Sequence, residues 1–406
     1  MDSHMIIISD YVELYGDRIQ TELQADVNRA AVFIHLHYLE TLEKYFKYMD
    51  IIPNTIPIYV STSNQKVENK IREYIFTKKE KNLEVIAKKN RGRDISALLV
   101  AFREIINRYK YICFLHDKKE KKESCKKNVE QWIDNLWGNL LGTENSDYFW
   151  KVIALFEKND KLGLLAPPEP MGASFSFENA WHEPYISSTK ILADDLNLQV
   201  DIDADVNQQP ITLGTCFWAR KDALSKLFLK NWKYEDFDDE PIPDDGTCYA
   251  VERILGYVAE DAGYRVNNIM SAEYAETYIR FLMECRRRAF KELKGRYAIT
   301  TLEELRKTDK MCQYFDCHKV TYLYGAGKVG KGLCTYLCDT NRYPQGFIVT
   351  EGETQKTCLG FPVRSIDEIC QEDDIGIIVS VAGGNAAGIV DELARRGIDD
   401  YLCMTQ

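Results

Sequence analysis

Two short polar clusters, Asn90-Arg91-Gly92-Arg93-Asp94 and His116-Asp117-Lys118-Lys119, hold the side chains best suited to binding an anion. Arg91, Arg93, Lys118 and Lys119 could offset the charge of a diphosphate. Gly92 lets backbone approach a ligand, and Asp94 stands where a helix begins, as a cap or as a partner for a base or ribose. A plain helix cap at Asp94 and a solvated face of lysines fit the spacing equally well. The elements around the clusters decide where they go. Leu83 to Ala87 is an apolar run, and Ile95, Leu98, Leu99, Phe102, Ile105 and Ile106 recur at helical spacing. Tyr111 to Leu115 is β-branched and aromatic, as a buried parallel strand is. Such a strand–helix–strand unit crosses over right-handed and brings both strand ends to one sheet edge, where open α/β sheets bind ligands. The two clusters meet there.

The order Asn-x-Gly, helix, apolar strand, Phe-Leu and polar cluster resembles the donor half of inverting GT-A glycosyltransferases. In those enzymes the strand ends in Asp-x-Asp, which holds a metal on the nucleotide-sugar diphosphate. Here His116-Asp117-Lys118 stands in that place. More closely, NRGRD followed by LHDKK resembles the rhamnan synthesis protein F family, with its Leu-His-x-Lys signature. The resemblance implies donor contacts from Asn90, Arg91, Gly92, Arg93, Asp94, His116, Asp117 and Lys118. A lysine in place of a metal ligand implies metal-independent diphosphate binding or no catalysis, so no cofactor and no divalent metal are expected.

A second stretch, Ile211 to Arg220, is an apolar strand with a Gly214-Thr215 step. It leads through a linker to Pro243-Asp244-Asp245-Gly246-Thr247, which opens a helix. This order resembles the acceptor half of the same enzymes. The family's signature of Asp-Gly-Thr, then Ala with Glu-Arg, is matched by Asp245, Gly246, Thr247, Ala250, Glu252 and Arg253. Tyr249 stands where the family usually has a histidine. The resemblance implies that Asp245 is the general base and that Gly214, Thr215, Glu252 and Arg253 lie on the acceptor side. Inverting transfer needs a base for the acceptor hydroxyl and positive charge for the leaving diphosphate. The plainer alternative has Asp244 or Asp245 capping the helix and Glu252-Arg253 as a structural ion pair. Glu252 and His116 are next in line as base.

A third stretch carries Gly325-Ala326-Gly327-Lys328-Val329-Gly330 between a strand and a helix, with Glu351 downstream. Gly325, Gly327, Gly330 and Glu351 fit a dinucleotide-binding pattern, but the remaining length allows only one mononucleotide-binding half. The unit resembles small Rossmann-like domains joined to polysaccharide-biosynthesis enzymes, including the front domain of sugar acyltransferases, which share Gly360-Phe361-Pro362-Val363. A nucleotide or nucleotide-sugar site and a docking role both fit.

At 406 residues the chain is long enough for two or three domains. We expect a GT-A-like, doubly wound, mostly parallel α/β domain over 6–275, a helical linker over 276–316 and a smaller Rossmann-like domain over 317–406. Strands are expected over 30–38, 56–62, 83–87, 111–115, 162–168 and 211–220, and a loop from Lys118 to Glu130. The stretch 169–205, with Trp181-His182-Glu183, is assigned to acceptor contacts or a lid. His35 and His37 alternate on the first strand and read as packing residues, with contact to the donor open to either. Met1 to Met5 reads as an expression leftover. The helix that carries Arg286-Arg287-Arg288 could sit on an anionic membrane or pack on the sheet, and packing is the reading adopted.

The net charge of -11 argues against nucleic acid as a partner. The 12 cysteines form no CxxC pair and read as reduced thiols, and the six histidines show no metal spacing. No run is long enough to span a bilayer and no signal peptide is present, so a cytoplasmic protein, at most at the inner face of the plasma membrane, is expected. The function implied is transfer of a deoxysugar from a donor such as dTDP-rhamnose to a lipid-linked saccharide. The rival is a non-catalytic nucleotide-sugar or polymer-binding subunit. An oxidoreductase using the glycine-rich turn is a third reading.

Overall fold

Strand β2 (Ala30–His35) is buried along its whole length, and its alternation divides the core in two. Val32 and Ile34 join one apolar cluster with Tyr45 and Met49. Ala31 and Phe33 join the other with Leu98, Phe102 and Ile254. Strand β5 (Tyr111–His116) behaves likewise, with Cys113 and Leu115 on the first face and Ile112 and Phe114 on the second. Strands buried on both faces belong in the middle of a parallel sheet covered by helices.

The computed structural model describes residues 4–8, 29–119, 126–144, 147–171, 180–204, 210–350, 356–369, 374–381 and 383–404. They fall into two units, Met1–Ile279 and Arg280–Gln406, each with its own sheet. Beside β2 and β5, the first sheet contains β1 (His4–Ile8), β3 (Ile58–Thr62), β4 (Leu83–Ala87), β6 (Leu162–Ala166), β7 (Phe217–Arg220) and β8 (Arg265–Ser271). These eight strands run in the order β1-β8-β6-β7-β5-β2-β3-β4. All pairs are parallel except those of β7 with β5 and β6. The fold is mixed α/β with a mostly parallel sheet, as expected. The chain winds from β2 outward through β3 to β4, then returns to place β5 on the other side of β2. The crevice between β2 and β5 is therefore a topological switch point.

Several elements differ from expectation. His4 and Met5, set aside as a leftover, pair with Asn267 and Asn268 in the edge strand β1. Its partner β8 was not anticipated, because Arg265 and the asparagines break the apolar run. Only Phe217 to Arg220 of the 211–220 stretch is strand, and residues 211–215 form a turn that leads into it. Within the expected loop, Lys126–Ile133 is helix, while 120–125 lies outside the described residues. Trp181 is fully buried and donates to the Asp203 carbonyl at 2.9 Å, so it serves the core.

The second sheet is built from β9 (Val320–Tyr324), β10 (Gly346–Val349), β11 (Thr357–Cys358), β12 (Phe361–Ser365), β13 (Ile375–Val379) and β14 (Tyr401–Cys403). Its order is β11-β12-β10-β9-β13-β14, and only β11 is antiparallel to its neighbour. Helix Leu302–Asp316 packs on this unit: Met311 is buried beside Leu323 and Phe347, and the Tyr314 hydroxyl accepts the Ile377 N–H at 3.1 Å. Helix Ala272–Tyr297 is exposed at residues 281–283 and 285–289, contrary to the packed helix expected. The ten described cysteines are free thiols. Among the described residues, no helix is long and apolar enough to cross a membrane.

Candidate functional site

His35 and His116 are register partners at the carboxyl ends of β2 and β5. Alternation puts both on the face of the second apolar cluster, the side of the helices that begin at Arg93 and Thr247. There the Asp94 carboxylate lies 3.8 Å from His116 Nε2. The sharp turn before it needs Gly92, at φ +71°, where a Cβ would fall 2.6 Å from the Phe237 ring. The His116 ring is held at both ends, Nδ1 2.9 Å from the Asp117 carbonyl and Nε2 2.7 Å from the Gly214 carbonyl. Lys88, just past β4, is buried beside them with Nζ 3.4 Å from the Arg91 carbonyl.

Burial dominates the electrostatics. It pushes the His35 pKa down to about 3, helped by the charge of Lys88. It lowers Lys88 to about 8, against the pull of Asp94. Burial alone would raise Asp94, but His116, Lys118 and His35 hold the carboxyl below its ordinary range. Burial also lowers His116, opposed by Asp94 and by the two carbonyls that its nitrogens face. A neutral ring satisfies one of those carbonyls, and only the imidazolium satisfies both.

Asp117 does not face the cleft as a free acid. Its Oδ2 accepts the backbone N–H groups of His37 and Tyr38, both at 2.7 Å, and so ties the end of β5 to the loop after β2. Burial raises its pKa to about 7 against those two bonds. His37 Nδ1 meets Ser63 Oγ at 3.2 Å, and that hydroxyl donates to Asn90 at 3.2 Å. Three loops of the edge are thereby linked. The Lys118 N–H donates to the Tyr45 hydroxyl at 2.7 Å, while its ammonium sits 4.0 Å from the Trp132 ring centroid. Lys119 is engaged in an ion pair with Glu40.

The two arginines expected to meet a diphosphate are bound elsewhere. Arg93 forms a two-point pair with Glu240 at 2.6 and 2.9 Å and reaches the Tyr249 hydroxyl at 3.3 Å. Arg91 donates to the Phe237 carbonyl at 2.7 Å and pairs with Asp239 at 3.2 Å. Lys89 pairs with Glu235 at 3.0 Å. The acidic segment 235–240, unnoticed in the sequence, thus holds the cations of the first cluster.

On the other side of the edge, β7 runs antiparallel, so its beginning arrives beside the end of β5. Gly214 (φ +98°) and Thr215 (φ +52°) make the turn there. Glu252 Oε1 accepts the Gly214 N–H at 2.6 Å, and its Oε2 accepts from Arg253 at 3.1 Å. Arg253 also donates to the Ala180 and Tyr249 carbonyls and lies 4.0 Å from the Tyr185 ring centroid. The Gly214 peptide is therefore gripped by Glu252 at its N–H and by His116 at its carbonyl. Glu252 and Arg253 form a structural ion pair, and they position the turn.

Asp245 does not cap the helix Thr247–Asp261. Gly246 is the N-cap, and the Thr247 N–H is taken by Asp238 Oδ2 at 2.9 Å. Asp244 accepts from the Tyr185 hydroxyl at 3.2 Å, while Asp245 is exposed with its carboxylate unpaired among the described residues. Lys88 and the segment 235–240 escaped the reading of the sequence. Each is polar and sits beside a charged run, so neither stands out until the fold assembles them.

In the second unit Gly325 (φ +114°) turns beside Ser380, and a Cβ on Gly330 would fall 1.8 Å from the Gly325 carbonyl oxygen. Gly327 is the N-cap of helix Lys328–Asp339 and has open space around its Cα. Those are the tight turn, close packing and ligand approach that a phosphate-binding glycine turn requires. Glu351 lies outside the described residues. Among the described residues, no three His, Cys, Asp or Glu side chains gather as a metal cage.

Comparison with known proteins supplies the family. Two curated relatives, both called uncharacterized protein WxcX and from Xanthomonas campestris pv. campestris strains B100 and ATCC 33913, are 26% identical over 242 residues. That span is 59% of this chain and 32% of theirs, so the chain covers about a third of the length of these relatives. The sequence model of rhamnan synthesis protein F matches residues 4–264, from edge strand β1 to the end of the helix that carries Glu252 and Arg253. With well over half of its length matched, the chain belongs to the rhamnan synthesis protein F family.

Proposed function

We propose that the first unit is an inverting glycosyltransferase of polysaccharide synthesis. It takes a deoxysugar, rhamnose being the one the family's name points to, from a nucleotide-diphosphate donor such as dTDP-rhamnose. The acceptor is a hydroxyl of a growing, lipid-linked saccharide. The observation that carries this reading is the gathering of His35, Lys88, Asp94, His116 and Lys118 at the β2/β5 switch point. Lys118 offers the diphosphate an ammonium resting against an aromatic ring, and Asp94 is kept ionised for the donor's ribose or base.

The acceptor oxygen attacks the anomeric carbon and gives its proton to a carboxylate. The carbon–oxygen bond to phosphate breaks, and the nucleoside diphosphate leaves with the electron pair. Asp117 is occupied by two backbone N–H groups, Glu252 by Gly214 and Arg253, and His116 by two carbonyls. Asp245 has no such engagement among the described residues and is the base in this reading. Asp94 replaces Glu252 and His116 as the next in line.

The test is calorimetry with nucleoside diphosphates and a thermal-shift panel of nucleotide sugars, since a ligand raises the melting point by mass action. Lys118→Ala should weaken diphosphate binding about 10-fold or more, the usual scale for a lost charged hydrogen bond. Binding that strictly requires manganese or magnesium would count against diphosphate capture by the chain's own cations. Tight donor binding with neither transfer nor donor hydrolysis would favour a non-catalytic binding subunit.

A further inference from the structure

Helix Ala272–Tyr297 leaves three large apolar side chains in a row in water. Phe281, Leu282 and Met283 are 38%, 47% and 50% exposed. One turn further along, Arg286, Arg287 and Arg288 are exposed as well. On a helix, residues three and four apart are neighbours, so Leu282 and Met283 abut Arg286, and Met283 abuts Arg287. Residues 280–296 hold seven Lys or Arg against two Asp or Glu, in a chain whose net charge is -11. Glu284, paired with Arg287 at 2.9 Å and with Arg288 at 2.7 Å, braces the helix but leaves Arg286 without a partner among the described residues.

We infer that this helix, with Leu282 between Phe281 and Met283 on one side and Arg287, Arg288 and Lys291 on the other, binds the surface of an anionic lipid bilayer. A helix lying in the interface buries its apolar side chains at the acyl boundary and sets Lys and Arg against the headgroup phosphates. At about 100° per residue, Arg287, Arg288 and Lys291 lie across the helix from Leu282, so apolar and cationic side chains separate into those two layers. A second copy of the chain is the other candidate occupant, but it would set two strongly cationic stretches against each other. A polyanion without an apolar layer would meet the arginines and leave Leu282 and Met283 in water. The net acidity of the chain as a whole is repelled by the same surface, so this helix would fix how the protein sits on it. The inference rests on this helix alone and holds whether or not the first unit transfers sugar.

The test is flotation of the full chain with vesicles of phosphatidylcholine alone and of phosphatidylcholine with phosphatidylglycerol. Binding should appear with the anionic vesicles only and weaken with salt. Near an anionic surface each cation contributes about five-fold, so R286Q/R287Q/R288Q should lower partitioning roughly 100-fold. F281S/L282S/M283S should lower it too, with the melting point and the helical signal unchanged. Single changes at Arg286 and Met283 serve if the triple variants do not fold. Equal binding to neutral vesicles, no binding to either, or a dimer in solution abolished by F281S/L282S/M283S would overturn the inference. Loss of sugar transfer in Asp245→Asn leaves it untouched, which keeps the two readings separable.

Discussion

A carboxylate can cap a helix, pin a loop or take a proton, and the site holds examples of the first two. Asp238 caps, and Asp117 pins. Asp245 does neither, so its removal should separate chemistry from folding. In Asp245→Asn, transfer should slow on the order of 10²–10⁴-fold while the melting point and donor affinity hold. Asp238→Ala should instead cost ~1 kcal/mol of stability, the usual worth of an N-terminal cap. Transfer at the wild-type rate in Asp245→Asn would move the base to Asp94. His35 makes a separate prediction about pH. Its folded pKa is depressed from 6.5 to about 3, so the unfolded chain binds the proton first as pH falls. Its contribution is therefore complete above pH 6.5 and is lost toward pH 3, at up to about 1.4 kcal/mol per pH unit. Asp117, raised from 3.8 to about 7, acts with the opposite sign and loses stability as pH rises through 7. Denaturant melts of wild type and His35→Asn across pH 3 to 7 isolate the histidine, and identical slopes would refute its buried neutral state.

At the scale of elements, the acidic segment 235–240 competes with any diphosphate for the first cluster. Three carboxylates on it, Glu235, Asp239 and Glu240, hold Lys89, Arg91 and Arg93. These pairs are largely exposed, where an ion pair is worth about 0–1 kcal/mol, so a diphosphate can displace them. Glu240→Gln should then tighten nucleoside diphosphate binding by a few-fold, with little change in melting temperature, and the gain should shrink in Arg93→Ala. Weaker binding in Glu240→Gln would mean that Arg93 is held in place by Glu240 for a positioning task. The antiparallel course of β7 is the other decisive element. It delivers Gly214 to the end of β5, where a parallel strand would have delivered Arg220.

At the scale of the whole molecule, the two sheets have separate cores, one pair of apolar clusters for each unit. A fragment ending at Ile279 should fold by itself and keep nucleotide-sugar binding, as a thermal shift would report. In the full chain, Gly330→Val should unfold only the second unit, because the close approach of Gly330 to the Gly325 carbonyl leaves no room for a side chain. Two melting transitions in the wild type, with only one of them lost in Gly330→Val, would be the signature. Donor turnover abolished in a folded 1–279 fragment would show that the second unit contributes to the same chemistry.

Local periodicity and motif carried the sequence a long way. The central strands, the helix Gln65–Thr77, the glycine turn at Gly325 and the meeting of the Arg93 and His116 clusters all follow from side-chain period and from the handedness of the crossover. Burial on both faces of β2 and β5 made them visible, since such strands read as continuous apolar runs. Edge strand β1 and its neighbour β8 were not legible, because β8 carries Arg265, Asn267 and Asn268 and β1 begins inside the stretch that reads as a leftover. Tertiary structure alone decided what each charged side chain does. Arg93 meets Glu240 across 147 residues of chain, and Gly214 meets His116 across 98. Such pairings depend on strand order and register, which act far beyond the few residues over which periodicity carries information. The residue types in the clusters therefore told what the site could bind, while the strand order determined which of those groups remain free to bind it.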